Sequence, residues 1–332
     1  MRSAFFALML VAATALPLAR ARDASAPQLF AEGVVSTPDD DSGIAFEPDG
    51  RTAYFTKRSP TTNTPPRSVI CRTRLVGGRW TEPEVAPFSG TANDFGVAVA
   101  LDGTLLLFTS DRGTGTADVP LNYDLWMVER EGGRWSEPRA LGAPIDTSAN
   151  EAYPSLAADG TLYFSATRPG GKGGPDIYRS RWIDGRYAEP ENLADINTPG
   201  YESQPAIAPD QSFIVFVSSG REDALTGVGA PYPRTDLYVS VRDGDRWRTP
   251  RHLDPPINTP FNESTPGVSA DGRWLYFASD RGFAAVPMAR RLSTREFETA
   301  LHGVLNDASN VYRVPVAAFE AVQANASGSA KR

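Results

Sequence analysis

The chain is poor in the residues that most often carry chemistry, with 1 cysteine and 2 histidines among 332 residues. A single Cys71 cannot close an internal disulfide, and within the β-like run SVICRTRL it is expected to be buried and inert. With only His252 and His302 available, neither a zinc cluster nor a Ser–His–Asp arrangement has support, and no metal is expected. Positive charge is also short: 33 Lys and Arg stand against 40 Asp and Glu, a formal charge of −7. That sign repels phosphate backbones and excludes nucleic acid as the expected partner. Cofactor motifs are missing too, because GGKGG from Gly170 leads into a strand instead of the helix that a phosphate loop needs. Past the first 18 residues no apolar run approaches the length of a membrane span.

That first run is a separate object. MRSAFFALMLVAATALPLARA carries Arg2, an apolar stretch from Ala4 to Leu18 and small residues at Ala19 and Ala21, the pattern of a cleaved export signal over 1–21. No cysteine follows it, so a lipid anchor is not expected, and the protein is read as exported, either periplasmic or secreted. Loss of Arg2 and Arg20 with the leader takes the formal charge from −7 to −9.

What is present in quantity is turn chemistry. Gly 29 and Pro 28 are too few for a disordered chain but enough to punctuate many short strands. An Asp that closes one strand and opens a tight turn recurs as Asp49, Asp102, Asp159, Asp210 and Asp271, at intervals of 53, 57, 51 and 61 residues. Gly50, Gly103, Gly160 and Gly272 follow four of the five. Each turn leads into an aromatic or branched run: TAYFTK, LLLFTS, TLYFSA, FIVFVS and WLYFAS. A second run follows in every copy, and in four copies an aromatic (Trp80, Trp135, Tyr187, Trp247) then precedes Pro83, Pro138, Pro190 or Pro250.

Counting the runs before the turn and after the proline gives four strands per unit, which is the blade of a β-propeller. The last copy lacks its fourth strand, whereas QLFAEGVV near the beginning is an orphan strand, so the amino-terminal strand is expected to complete the last blade. The sequence therefore predicts an all-β, five-bladed propeller of four-stranded antiparallel blades, with one short helix inserted in the last blade. Its expected organisation is a linker over 22–27 and a propeller over 28–317, followed by a flexible tail over 318–332. The blades are placed at about 38–90, 91–147, 148–198, 199–259 and 260–316, the last with strand 28–36.

SADGRWLYFASDRG and GGPDIYRS resemble the WD-repeat-like propeller repeats of the TolB type, and the resemblance covers nearly all of the chain after the leader. Such propellers serve mostly as protein-interaction platforms and occasionally as carbohydrate-active enzymes. The resemblance does not extend to a TolB amino-terminal domain, so a part in that translocation system is not implied.

Eight residues before each turn Asp stands an acid: Asp41, Asp94, Glu151, Glu202 and Glu263. Five carboxylates at one level could hold a divalent cation. Each copy also carries an arginine after the turn, Arg58, Arg112, Arg168, Arg221 and Arg281, which favours a structural ring of acid–arginine pairs. Function is then expected in what does not repeat, on the face carrying the links between second and third strands. The aromatics Tyr123, Tyr232 and Phe283 and the acids Asp118, Glu222 and Asp223 are the candidates there.

In LSTREFETALHGVLND, Ser293 and Glu296 form a capping box, and Phe297, Leu301 and Leu305 make one stripe. The stripe predicts a helix packed on the propeller over its channel or a blade edge, and a lid or partner-docking helix is the other reading. The expected function is a monomeric, non-catalytic platform in the cell envelope that binds a protein, a peptide or a glycan. The alternative is a glycan-processing enzyme, a glycoside hydrolase or lyase.

Overall fold

The computed structural model describes residues 26–59, 67–113, 122–225, 234–282 and 291–319. The leader, the tail from residue 320, Asp118, Tyr232 and Phe283 all lie outside the described residues.

Five antiparallel sheets follow one another along the chain, each built on three consecutive long strands. The innermost strands are Asp40–Phe46, Asp94–Val99, Glu151–Leu156, Tyr201–Ile207 and Glu263–Val268. The second strands are Thr52–Arg58, Leu105–Ser110, Leu162–Ala166, Phe213–Ser219 and Trp274–Ser279. Third strands begin at Ser68, Asp124, Asp176, Asp236 and Asn310, and two-residue outer strands pair with them. In the fifth blade that outer place is taken by Gln28–Leu29, whose residues pair with Arg313 and Tyr312, so the amino-terminal strand closes the ring.

The second strands are apolar throughout because both of their faces are covered. Successive residues of a strand point to opposite sides. Ile214 and Phe216 therefore pack with Tyr163 and Ile177 of the third blade, while Val215 and Val217 pack with Leu275 and Phe277 of the fifth. One such cluster fills each of the five junctions. Cys71 belongs to the junction that closes the ring, and burial pushes its thiol up to about 11, so it is inert at neutral pH.

The turn aspartates act alike: Asp49, Asp102, Asp159, Asp210 and Asp271 each accept the amide of the residue two positions on, at 2.8–3.1 Å. The residue between needs positive φ, which is why glycine fills four of the sites. Gln211 is the exception at φ 59, and its side chain bonds Tyr163 and Asp159 of the neighbouring blade.

The helix Thr294–Leu301 forms with its capping box complete. It buries no residue, and Phe297, Leu301 and Leu305 are exposed at 55%, 51% and 41%. The expectation that this stripe packs on the propeller is thereby corrected. A capped, amphipathic segment can form without a partner, and the stripe alone did not say that one was present.

Candidate functional site

The innermost strand of every blade carries a bulge two residues after its acid, at Gly43, Gly96, Tyr153, Gln204 and Thr265, all with positive φ. The acid precedes the bulge and turns away from the channel. Asp41, Asp94, Glu151, Glu202 and Glu263 are all 0% exposed. A Thr four residues upstream caps four of them through its amide and hydroxyl: Thr37 at 2.8 and 2.5 Å, Thr147 at 3.1 and 2.7 Å, Thr198 at 2.7 and 2.9 Å, Thr259 at 3.0 and 2.6 Å. Ser89 and Gly90 do the same for Asp94.

A cation completes each station. Arg112 Nη2 lies 2.7 Å from Asp94, Arg168 Nε 3.3 Å from Glu151, Arg221 Nη2 3.1 Å from Glu202 and Arg281 Nη2 3.0 Å from Glu263. Each guanidinium also sits 4.9–5.5 Å from the centroids of two aromatic rings, such as Phe277 and Tyr312 for Arg281. Burial nevertheless pushes the Glu263 carboxyl up to about 7 against the opposing charge of Arg281. Glu151 and Asp41 are raised by burial as well.

The first blade departs from the ring. Asp41 is met by Lys57 Nζ at 3.2 Å, and not by Arg58 as the spacing predicted. Register explains the difference. Ser110, Ser218 and Ser279 stand opposite Asp94, Glu202 and Glu263, and in the first blade Lys57 stands opposite Asp41. Arg58 pairs across the strands with Asp40 instead.

That shift changes the channel mouth on the face of the second-to-third-strand links. A cavity of about 410 Å³ opens there, lined by Asp40, Arg58, Phe95, Tyr153, Asn262 and Asp280 among others. Asn93, Asn150 and Asn262 precede the acids of their blades, but Asp40 takes that place in the first blade. Arg58 is exposed, and among the described residues neither its guanidinium nor the Asp40 carboxylate has an ion pair or hydrogen bond. Burial raises the Asp40 carboxyl, Arg58 opposes the rise, and the Asp280 charge adds to it. Asp280 is fixed by the Asn262 amide and side chain, both at 2.7 Å. The floor is aromatic: the Phe95 ring lies 5.1 Å from Tyr123 and 5.2 Å from Tyr153.

Of the loop candidates, Tyr123 is half-buried against Phe95 and Glu222 is exposed. Asp223 accepts the Tyr238 hydroxyl at 2.8 Å. His252 lies 3.2 Å from Asp236, 2.8 Å from the Asn258 amide and 3.7 Å from Asp254, so these polar contacts stay within the fourth blade.

Among the described residues one group of three acids could hold a metal ion, Asp124, Asp146 and Glu151, with donor atoms within 4.8 Å of one another. The positive charge already beside them is Arg168. Asp146 stands where the next two blades have Asn197 and Asn258. Each of those asparagines accepts one backbone amide and donates to the carbonyl of the same residue. Asp146 accepts from Leu125 and Gly142, and burial pushes it up to about 7.

No protein-family model matches the chain, and comparison with curated proteins gives no match. Among solved structures, the α-L-arabinofuranosidase from Lactobacillus brevis superposes with a TM-score of 0.50 at 16% identity, covering 86% of this chain and 92% of that one. A structure assigned to TolB from Agrobacterium tumefaciens gives a TM-score of 0.45 at 18% identity, over 73% of this chain and 71% of that one. At 16% identity the likeness to the arabinofuranosidase concerns architecture alone, and the strand order gives the fold directly: the chain is a five-bladed β-propeller closed by its amino-terminal strand.

Proposed function

We propose that the protein is an exported, non-catalytic binding platform of the cell envelope whose ligand seats in the channel mouth of the first and fifth blades. One observation carries this reading. The acids that the fold repeats are fully buried and engaged by caps and cations, whereas the charged groups that break the repeat line an open cavity. A cavity of about 410 Å³ suits a small molecule or the end of a polymer. A ligand that prefers the native state raises the unfolding midpoint, so thermal unfolding with peptide and glycan panels tests the reading. Shifts from either class support it, and no shift from any member removes its basis.

A second reading has its own observation. Asp40 and Asp280 share the cavity, and Asp40 is raised by burial. Glycoside hydrolysis uses two carboxylates in unlike settings. Turnover of aryl glycosides that disappears in Asp40→Asn would establish hydrolysis, and absence of turnover across a panel would set it aside.

A further inference from the structure

The charges of the channel mouth have an order that specifies a ligand more narrowly. Asp40 and Asp280 lie on adjacent blades, close enough for one carboxylate to act on the other, and neither has a cation within 4.0 Å among the described residues. Like charges held together in a half-buried cavity are unfavourable unless a cation sits between them. Among the described residues Arg58 is the single cation in the lining; it stands across the strands from Asp40 and its charge acts on that carboxyl, but no ion pair within 4.0 Å joins them. The mouth thus presents carboxylate acceptors, Asp40 and Asp280 among them, and a guanidinium fork that no ion pair or hydrogen bond joins to them among the described residues.

The floor between them is uneven. Three bulge residues, Tyr153, Gln204 and Thr265, line the cavity, while the second blade contributes Gly96 there. Tyr153 closes over Gly96, where a Cβ would come within 3.0 Å of its ring. Gln204 accepts the Thr265 amide at 2.5 Å, so its carbonyl is spent. The rim is fixed as well: Asn306 donates to the Pro38 carbonyl at 2.9 Å, which ties the segment bearing Asp307 to the first blade.

We infer that the mouth binds an α-ammonium group flanked by a carbonyl or carboxylate, as in a free amino acid or the amino terminus of a peptide. The ammonium seats between Asp40 and Asp280, the neighbouring oxygen meets Arg58, and the first side chain lies toward Phe95 and Tyr153. Charge-assisted bonds of this kind outlast competition with water only where the partners are already placed; the Asn262 clamp holds Asp280 as Asn93 holds Asp111 in the second blade, so Asp40 and Arg58 are the groups particular to this mouth. This inference rests on the platform reading and names the ligand class for the same cavity.

Calorimetric titration of the mature protein with tri-alanine, N-acetyl-tri-alanine, L-alanine and a neutral xylo-oligosaccharide tests it. Tri-alanine is expected to bind and its acetylated form to bind at least about tenfold more weakly, the value of one charge-assisted bond. L-alanine equal to tri-alanine would assign a free amino acid, and weaker L-alanine would assign a peptide terminus. Asp40→Asn and Arg58→Gln should each lose about tenfold or more with unchanged midpoints, since neither side chain supports the fold. Equal binding of the acetylated peptide, or binding of the oligosaccharide alone, overturns the ammonium assignment and leaves the platform intact. No heat from any of the four overturns the ammonium assignment as well, and the peptide and glycan panels then decide the platform separately.

Discussion

The fifth and first blades place an arginine at nearly the same point of the repeat, with opposite consequences. Arg281 is engaged on all sides, by Glu263, by the carbonyls of Pro256 and Ile257 and by two aromatic rings. Arg58 stands exposed at the channel mouth, and among the described residues its guanidinium makes no hydrogen bond or ion pair. One position of register separates them, because Lys57 has taken over the buried acid. A repeated residue that is fully satisfied reports architecture, and the copy released from that duty is the one open to a ligand.

The sharpest way to break this contrast is Arg281→Ala. It leaves Glu263 buried without its cation, and a loss of about 3 kcal/mol is expected at pH 8 by urea unfolding. Because the folded Glu263 carboxyl lies near 7, above its ordinary 4.5, the neutral form is favoured in the fold. Its contribution is fully present below about 4.5 and is lost as pH rises through 7. The variant should therefore lose less at pH 5 than at pH 8, and an equal loss at both would contradict the assignment. Lys57→Ala should come next, at about 2 kcal/mol, since Asp41 keeps its Thr37 cap but loses its charge partner.

A gain is expected from Asp146→Asn. The amide would supply the donor that Asn197 and Asn258 provide in their blades and would remove one charge from the group with Asp124 and Glu151. About 1 kcal/mol of stabilisation at pH 8 should shrink below pH 7, where Asp146 is itself protonated. Destabilisation at pH 8, or a wild-type midpoint raised by calcium and lost in this variant, would show instead that the three acids form a cation site. The smallest change belongs to Arg58→Ala, under about 0.5 kcal/mol; a larger loss would mean that Arg58 supports the fold after all.

Much of the propeller was legible because backbone rules forced the same residues into every copy. The turn needs an Asp acceptor followed by positive φ, so Asp49, Asp102, Asp159 and Asp271 precede glycine. The acids were legible for a related reason, a constant run from bulge to turn. Arg58 was misplaced because it was counted from the turn, although strand pairing fixes partners from the acid, sixteen residues on at Lys57, Ser110, Ser218 and Ser279. A signal for the mouth also existed: Asn93–Asp94, Asn150–Glu151 and Asn262–Glu263 against Asp40–Asp41. The exposure of Phe297 and Leu301 had none, since amphipathic spacing does not say whether a partner is present.

The division between repeated support and unrepeated site is tested most directly in Arg58→Gln, by titrating it with tri-alanine and measuring its thermal midpoint in the same preparation. Binding lost with the midpoint unchanged is the predicted result. Binding intact with a lowered midpoint would return Arg58 to the structural ring and contradict the account.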